Sequence, residues 1–394
     1  MKLNHFLEAK PLYYKEIDHK RVHIAYGILK PHIKKPSKTI HIVGTNGKGS
    51  TGRMVAHLAH KSGLSVGHYS SPHILKFNER IWLDGEDASD EVLEFSHQKL
   101  FNILGQEISD TLSYFEYTTL LSFVVFEDCD LMVLEAGLGG EFDATNVCDK
   151  ELSIITPIGL DHQAFLGETI EEIASTKIRS IQNKMLLAPQ VYDEVLEISE
   201  KICQEKEAEL FTVGVGLVPT LDVGNLHNVG SPKGRHETYP YDWAEYLKSN
   251  AQVAMRALDI LDISYDTKDL KTLKLFGRFY ALTPNIRIDV GHNPLASKAI
   301  VKALDEPVVL IYNSLDDKDY EEVLRILKPK IKRVEIIEID SQRATTLEEI
   351  EKALERLEIS YSSFEGRIDE AEKYLVFGSF YVVEGFLKGY NSRK

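Results

Sequence analysis

The stretch HIVGTNGKGSTGRMVAHL, residues 41–58, carries the clearest chemistry in the chain: a β-branched run enters a glycine-rich turn and leaves with helical apolar spacing. In such a turn Gly44, Gly47 and Gly49 let the backbone take positive φ and approach a polyphosphate. The ligand's charge is then met by main-chain N–H groups and the positive end of the following helix. Lys48 is placed to reach the terminal phosphates, and Ser50 or Thr51 to bring a hydroxyl beside a metal ion. Strict Walker A spacing has Ser or Thr directly after the lysine, whereas Gly49 intervenes here, so this is a phosphate loop of a particular subtype. The competing reading is a structural glycine turn with a solvated lysine.

Other segments bring polar groups to the ends of apolar strands, where ligands of open α/β sheets bind. Glu135 closes LMVLE before GLGG, as a Mg2+ ligand or a salt-bridged surface carboxylate. His162 follows LSIITPIGLD, as a ligand or as a hydrogen-bonded loop histidine. SSPHILKFNERI offers Ser71, a nearby imidazole and Arg80. Arg278 in GRF is a phosphate contact or a solvated cation, and Asp289 in DVGHNPLA is a ribose-binding carboxylate or an Asx turn with a helix cap.

These groups need an α/β scaffold, and the pattern supplies one. Apolar runs at 39–43, 131–136 and 152–160 alternate with helical segments, one after Ser50 ending at Gly63 and one starting near Thr118, which predicts a mainly parallel sheet. Residues 211–241 loosen into Gly, Pro and polar residues and predict two or three irregular strands and loops. A helix resumes over 243–261. The alternation restarts with NIRIDV, VVLIYN, RVEIIEI and YLVFGSF, with helices around 296–304, 319–327 and 347–357 and a final helix. The expected domains are residues 1–283 and a smaller α/β unit, 284–394.

The length of 394 residues suits two domains. A formal charge of -15 disfavours a general nucleic-acid or anionic-membrane surface, so an anionic ligand must be held by a local site. Three scattered cysteines, Cys129, Cys148 and Cys203, show neither disulfide density nor CxxC metal spacing. The N-terminal residues are broken by charge before a signal-like apolar run forms, and no later run approaches a membrane span, so the expected location is the cytoplasm.

In order along nearly the whole chain, GTNGKGS, SSPHILKFNERI, YFEYTT, LEAGLGGEFDATNV, GLDHQAFLG, SNAQVAMRAL, GRF, DVGHNP, DDKD and GSF resemble the motifs of the Mur ligase superfamily, specifically its folate branch of dihydrofolate synthases and folylpolyglutamate synthases. The resemblance implies a P-loop-containing, ATPase-like central domain with a parallel sheet, followed by a smaller Rossmann-like C-terminal domain. It implies ATP bound through Gly47, Lys48, Gly49, Ser50, Asn250, Arg278 and Asp289, with Arg278 on phosphates and Asp289 on the ribose. Mg2+ would be ligated by Ser71, Glu135 and His162, and Lys177, if carbamylated, would bind a second Mg2+. Lys48, Glu135, His162 and Lys177 form the implied catalytic set, and Tyr114, Phe115, Glu116, Phe142 and Asp143 lie near the pterin. The chain departs from the family strings at three points: Glu141 stands where GGRLDATN has Arg, KIRS replaces KAGI after the lysine, and KEIDHKRVHIAYGIL lacks the Gly-Leu pair of the GLxR helix.

The implied reaction is ATP-driven amide synthesis. L-glutamate is joined to dihydropteroate, and the glutamate tail of reduced folates is extended, through an acyl phosphate, with the domains closing over the nucleotide. The base for the incoming amine is unassigned, with His292 in a suitable segment. The expected partners are small molecules only, for a monomeric enzyme. Alternatives are a monofunctional synthase of either kind, a cell-wall Mur ligase on a UDP-sugar peptide, or a P-loop nucleotide switch. Against the switch, the only Asn-Lys pair, Asn183-Lys184, continues as Met-Leu and not as a guanine-reading NKxD.

Overall fold

The computed structural model describes residues 2–10, 18, 20–213 and 243–391. The irregular strands expected over 211–241 therefore lie outside the described residues beyond Val213. The chain divides into two compact units, one of Met1–Ile158, Glu168–Tyr239 and Asn250–Leu273, the other of Gly159–Gly167, Pro240–Ser249 and Lys274–Lys394.

The first unit is built on β1 (Lys38–Val43), β2 (Val66–Tyr69), β3 (Ile81–Leu83), β4 (Glu86–Asp87), β5 (Leu131–Glu135), β6 (Leu152–Ile155), β7 (Lys184–Leu187) and β8 (Glu209–Thr212). Their order is β4-β3-β2-β5-β1-β6-β7-β8, parallel except for the β2-β3-β4 meander. β1, β5 and β6 are almost wholly buried. Burial on both faces fits the near-continuous apolar run LMVLE of β5, while β1 and β6 bury Thr39, His41 and Ser153 among their apolar residues. Because β1 pairs with β5 on one side and β6 on the other, the turns leaving these strands lie side by side.

The helices of this unit are α1 (Leu3–Glu8), α2 (Arg21–Leu29), α3 (Lys48–Lys61), α4 (Asp90–Thr111), α5 (Tyr114–Val125), α7 (Ile170–Ile178) and α8 (Glu194–Glu205), while α6 (Gln163–Leu166) lies in the other unit. The end of α3 is where its sequence places it: Leu64 N–H reaches Ala59 O and Gly63 N–H reaches His60 O, the paired bonds of a Schellman close. α5 begins at Tyr114 rather than near Thr118, because Ser113 and Glu116 form a reciprocal capping box ahead of the apolar run. One face of the sheet is covered by a core that includes Phe6, Leu29, Leu100, Tyr117, Leu120 and Leu134.

The second unit holds β9 (Tyr280–Thr283), β10 (Ile286–Ile288), β11 (Val308–Tyr312), β12 (Ile331–Ile336), β13 (Tyr361–Ser363) and β14 (Tyr374–Phe377) in the order β13-β12-β11-β14-β10-β9. All pairs are parallel except β9 with β10. The helices α10 (Pro294–Ala303), α11 (Tyr320–Leu327), α12 (Leu347–Arg356) and α13 (Phe380–Asn391) match the expected positions, and α9 (Glu245–Ile260) matches the helix expected over 243–261. A single cut at 283 does not describe the partition. It would separate β9 from β10, the one strand β9 pairs with among the described residues, and it omits the excursion at Gly159–Gly167.

Candidate active site

The turn leaving β1 is the phosphate loop. Gly44 has φ 145, and a Cβ there would sit 2.0 Å from Thr156 Oγ1, so no side chain fits. Lys48 opens α3 and its ammonium folds back over the loop, donating to Gly44 O at 3.2 Å and Thr45 O at 3.3 Å. Ser50, buried in the first turn, donates to Gly47 O at 3.2 Å and accepts from Asn250 Nδ2 at 2.8 Å. Asn250, from α9, thereby braces the loop from behind. The first-turn amides of α3 point their positive end out of this turn.

Lys177, 4% exposed near the end of α7, also donates to Gly44 O, at 3.1 Å. Glu135 ends β5 opposite Ile42 of β1 and is 5% exposed; its Oε2 accepts from Ser71 N–H at 3.2 Å. The structure thus brings Ser71 and Glu135 together, and separately brings Lys177 to the phosphate loop. Gly140, in the GLGG turn after Glu135, lies so close to Lys177 that a Cβ would come 2.6 Å from Lys177 O.

The residues expected near the pterin divide into two groups. Phe142 is exposed, Phe115 packs its ring against Gly137 and Tyr69, and Tyr114 lies under the Arg80 guanidinium at 5.2 Å. Arg80 also donates to His73 Nδ1 at 2.8 Å; burial, and then the Arg80 charge, push His73 down to about 4. The carboxylates of Asp143 and Glu116, by contrast, are engaged within the protein. Asp143 accepts from Leu138 N–H at 2.9 Å and from the amide and hydroxyl of Thr145 at 2.9 and 2.6 Å. Burial pushes its pKa up, against the pull of those bonds. Glu116 takes both contacts of Arg21 Nε, at 3.0 and 2.8 Å, and Ser113 N–H at 2.7 Å.

In the second unit, Asp289 is 4% exposed and accepts from Tyr246 Oη at 2.8 Å, Phe279 N–H at 2.8 Å and Gly291 N–H at 2.7 Å. Burial raises its pKa and the neighbouring Arg278 charge opposes the rise. Arg278 stacks over Phe380 at 5.3 Å. His162 has φ 55 at the N-terminus of α6 and lies beside Asp161.

Asp161 is the residue sequence reasoning passed over. It receives Lys318 Nζ at 2.6 Å and Asn293 Nδ2 at 3.1 Å, with His292 Nε2 at 3.6 Å. Burial would raise its pKa, but the hydrogen bond and charge of His292, with His162 and Lys318, outweigh this and hold it well below the usual carboxylate range. The signal was present in three strings, GLDHQAFLG, DVGHNP and DDKD, whose convergence only the fold reveals. Among the described residues no three His, Cys, Asp or Glu side chains converge as a ready-made metal cluster. A cation held here would therefore draw on oxygens of other kinds as well.

Residues 42–217 match the Mur ligase middle domain family. A Haemophilus influenzae protein named dihydrofolate synthase/folylpolyglutamate synthase is 31% identical to the chain over 399 residues, covering 88% of the chain and 87% of the relative. The chain belongs to the folate branch of the Mur ligases. Solved structures agree with this membership. Helicobacter pylori folylpolyglutamate synthetase is 39% identical, with 99% of this chain and 98% of that one covered and a TM-score of 0.74. Escherichia coli FolC, in complex with DHPP and ADP, is 27% identical, with 100% and 98% covered and a TM-score of 0.82. Membership accounts for the fold in both units: a parallel sheet carrying the phosphate loop, then a smaller α/β unit. No helix among the described residues is long and apolar enough to cross a membrane.

Proposed function

We propose that the chain is an ATP-dependent carboxylate–amine ligase that joins L-glutamate to dihydropteroate and extends the glutamate tail of reduced folates. The observation that carries this reading is the phosphate loop after β1 set beside the strand that ends in Glu135, in a chain whose relatives along most of its length bear the names of folate ligases. Those names also weigh against the cell-wall and switch readings.

A carboxylate is a poor acylating agent because its leaving group is an oxide. Transfer of the γ-phosphoryl of ATP to the carboxylate oxygen makes an acyl phosphate and ADP. The glutamate amine then attacks the acyl carbon, the C–O bond to phosphate breaks, the amine's proton is lost, and an amide remains. The protein's task is positioning and charge neutralisation. The amides of the α3 first turn and Lys48 meet the phosphoryl oxygens, Ser50 is held by Asn250, and Arg278 and Asp289 take the nucleotide. Tyr114, Phe115 and Phe142 offer ring faces to a pterin.

The donor set suits a hard divalent cation, since Glu135 brings a buried carboxylate and Ser71 a hydroxyl on the adjoining turn. Ser71, Glu135 and His162 would hold Mg2+ and a carbamylated Lys177 a second Mg2+, and these ions would screen the phosphate charge. The enzyme is expected to be cytoplasmic and monomeric, and light scattering at working concentration checks the latter.

The test is ADP release with ATP, Mg2+ and L-glutamate, comparing dihydropteroate, tetrahydrofolate and no acceptor, with products identified by mass. Turnover with both acceptors establishes both activities, and turnover with one narrows the enzyme to a single synthase. Equal ADP release without acceptor or glutamate overturns the ligase reading.

A further inference from the structure

Lys150, just ahead of β6, is 2% exposed, and among the described residues its ammonium pairs with no carboxylate. It donates to Asn146 Oδ1, to Ser180 O at 3.0 Å and to His41 Nδ1 at 3.4 Å. Burying an ammonium among neutral partners costs several kcal/mol, about what an apolar side chain of similar length would avoid. The hydrogen bonds that offset this cost have a direction.

Proton counting sets that direction. Both Asp143 oxygens accept backbone N–H bonds, so the carboxylate is an acceptor, and the Thr145 hydroxyl at 2.6 Å gives its one proton to Asp143 Oδ1. Thr145 Oγ1 must then accept from His41 Nε2, 2.8 Å away. The imidazole proton is therefore on Nε2, and Nδ1 is free to accept from Lys150. His41 is fully buried, and burial, with the Lys150 charge, keeps the ring neutral by holding its pKa well below the usual value.

The chain of donation runs Lys150 to His41 to Thr145 to Asp143, and its ends are informative. Asp143 holds Leu138 N–H, in the GLGG turn after Glu135. Lys150 holds Ser180 O, and Ser180 Oγ in turn donates to Lys177 O at 2.7 Å. Between these ends Glu141 N–H bonds Thr176 O at 2.9 Å. His41 itself lies on β1, directly ahead of the phosphate loop.

We propose that Lys150, His41, Thr145 and Asp143 form a buried relay that holds the GLGG turn and the C-terminal turn of α7 in register with the phosphate loop, with Lys150 as the positioning residue that closes it. The consequence for turnover rests on the ligase reading; the relay itself does not. Five groups act on the ammonium: His41 from β1, Asp143, Cys148 and Asp149 from the loop ahead of β6, and Lys206 beyond α8. Burial, above all, brings Lys150 from 10.5 to about 8. The unfolded chain thus binds more protons between these two values, so this group's contribution to folding stability rises with pH across that window. Over the same rise the ammonium, with three N–H groups for three acceptors, becomes an amine with two, so one of the bonds to Asn146, Ser180 and His41 is lost. Stability and turnover should therefore respond to Lys150 with opposite sign, which a purely structural role would not produce.

The test uses the full-length protein in two arms. In the first, 15N-histidine spectra, with His41 assigned from a His41→Gln variant, are expected to show a neutral Nε2–H ring whose Nδ1 shift moves in Lys150→Met. An Nδ1–H ring or a cationic ring at neutral pH overturns the relay, whatever the chain's activity. In the second, Lys150→Met and Thr145→Val are each expected to lower kcat about tenfold with KM for ATP within about twofold, while Thr145→Ser keeps wild-type turnover. The deficit of Lys150→Met should shrink as pH rises past about 8. Wild-type kcat in both Lys150→Met and Thr145→Val overturns the positioning role. If Lys150→Met does not fold, the Thr145→Val and Thr145→Ser pair decides. A wild-type protein without acceptor-dependent ADP release refutes the ligase reading and leaves the relay to the spectra.

Discussion

Arg179 Nη1 lies 3.8 Å from Glu141 Oε2. These are the two charges by which the chain departs from the motifs it otherwise follows, Glu for Arg in the GGRLDATN string and Arg for Gly in KAGI. The Glu141 N–H bond to Thr176 O fixes the loop against the helix that carries Arg179. The two departures thus face each other, a carboxylate on the loop opposite a cation on the helix end, and the geometry allows one to compensate the other.

A charge exchange tests this. The pair is half-exposed, so it contributes at most about 1 kcal/mol to stability, and neither variant should shift Tm by more than a few degrees. Glu141→Arg alone sets two cations side by side and is expected to lower kcat/KM for the pteroate acceptor about tenfold. The double variant Glu141→Arg/Arg179→Gly should recover most of it. A double variant no better than the single shows that the two positions act independently.

Lys48→Ala is expected to reduce turnover by at least about a hundredfold, the usual scale for losing a charged group on a transferring phosphoryl. The fold should remain, because among the described residues Lys48 bonds to the loop carbonyls of Gly44 and Thr45 alone. Circular dichroism and an ADP-release assay check both halves, and near-normal turnover would refute the phosphate-loop reading.

The site was legible in the sequence where one short string holds both the element and the chemistry. GTNGKGS follows a β-branched strand, and LMVLE ends in its own carboxylate. It was not legible where partners come from distant segments. Lys150 sits in VCDKELS, a string with no signal of its own, and its partners His41 and Ser180 come from segments far away in sequence. Glu116 reads as a substrate contact in YFEYTT, but the structure pairs it with Arg21. The boundary expected at 283 falls between YALT and NIRI, and only their antiparallel pairing, which a sequence does not display, assigns both to one sheet.

The Arg21–Glu116 pair, with side chains 16% and 11% exposed, fastens α2 to the start of α5. Arg21→Met leaves a largely buried carboxylate without its cation and is expected to cost about 3 kcal/mol. Arg21→Met/Glu116→Gln should recover part of that, because the glutamine oxygen still accepts from Ser113 N–H in the capping box. Urea unfolding midpoints of the three proteins measure the difference, and equal midpoints for the single and double variants would refute it.

Acid should weaken the first unit well before its carboxylates titrate. Burial holds both His41 and His68 well below 6.5, with Lys150 and Arg53 respectively adding to the effect. Below about pH 6.5 the unfolded chain takes up protons that the folded chain refuses, so stability falls as pH falls, by up to about 1.4 kcal/mol per pH unit for each ring. Urea midpoints are expected to drop steadily between about pH 6.5 and 5. A flat profile over that range would mean that these rings are protonated in the folded state.

Lys177 offers the sharpest chemical prediction. As an ammonium it cannot ligate a cation, yet it is buried against the carbonyl of Gly44. Reaction of its neutral amine with CO2 forms an N–C bond, releases one proton and leaves one N–H on Nζ. That hydrogen can keep the bond to Gly44 O while the new carboxylate oxygens face a metal. Protein incubated with 13C-bicarbonate and Mg2+ is expected to show a carbamate carbon signal that disappears in Lys177→Met, with turnover lost in the same variant. Full turnover in Lys177→Met, or a wild-type spectrum without that signal while the enzyme is active, would remove the carbamate from the mechanism.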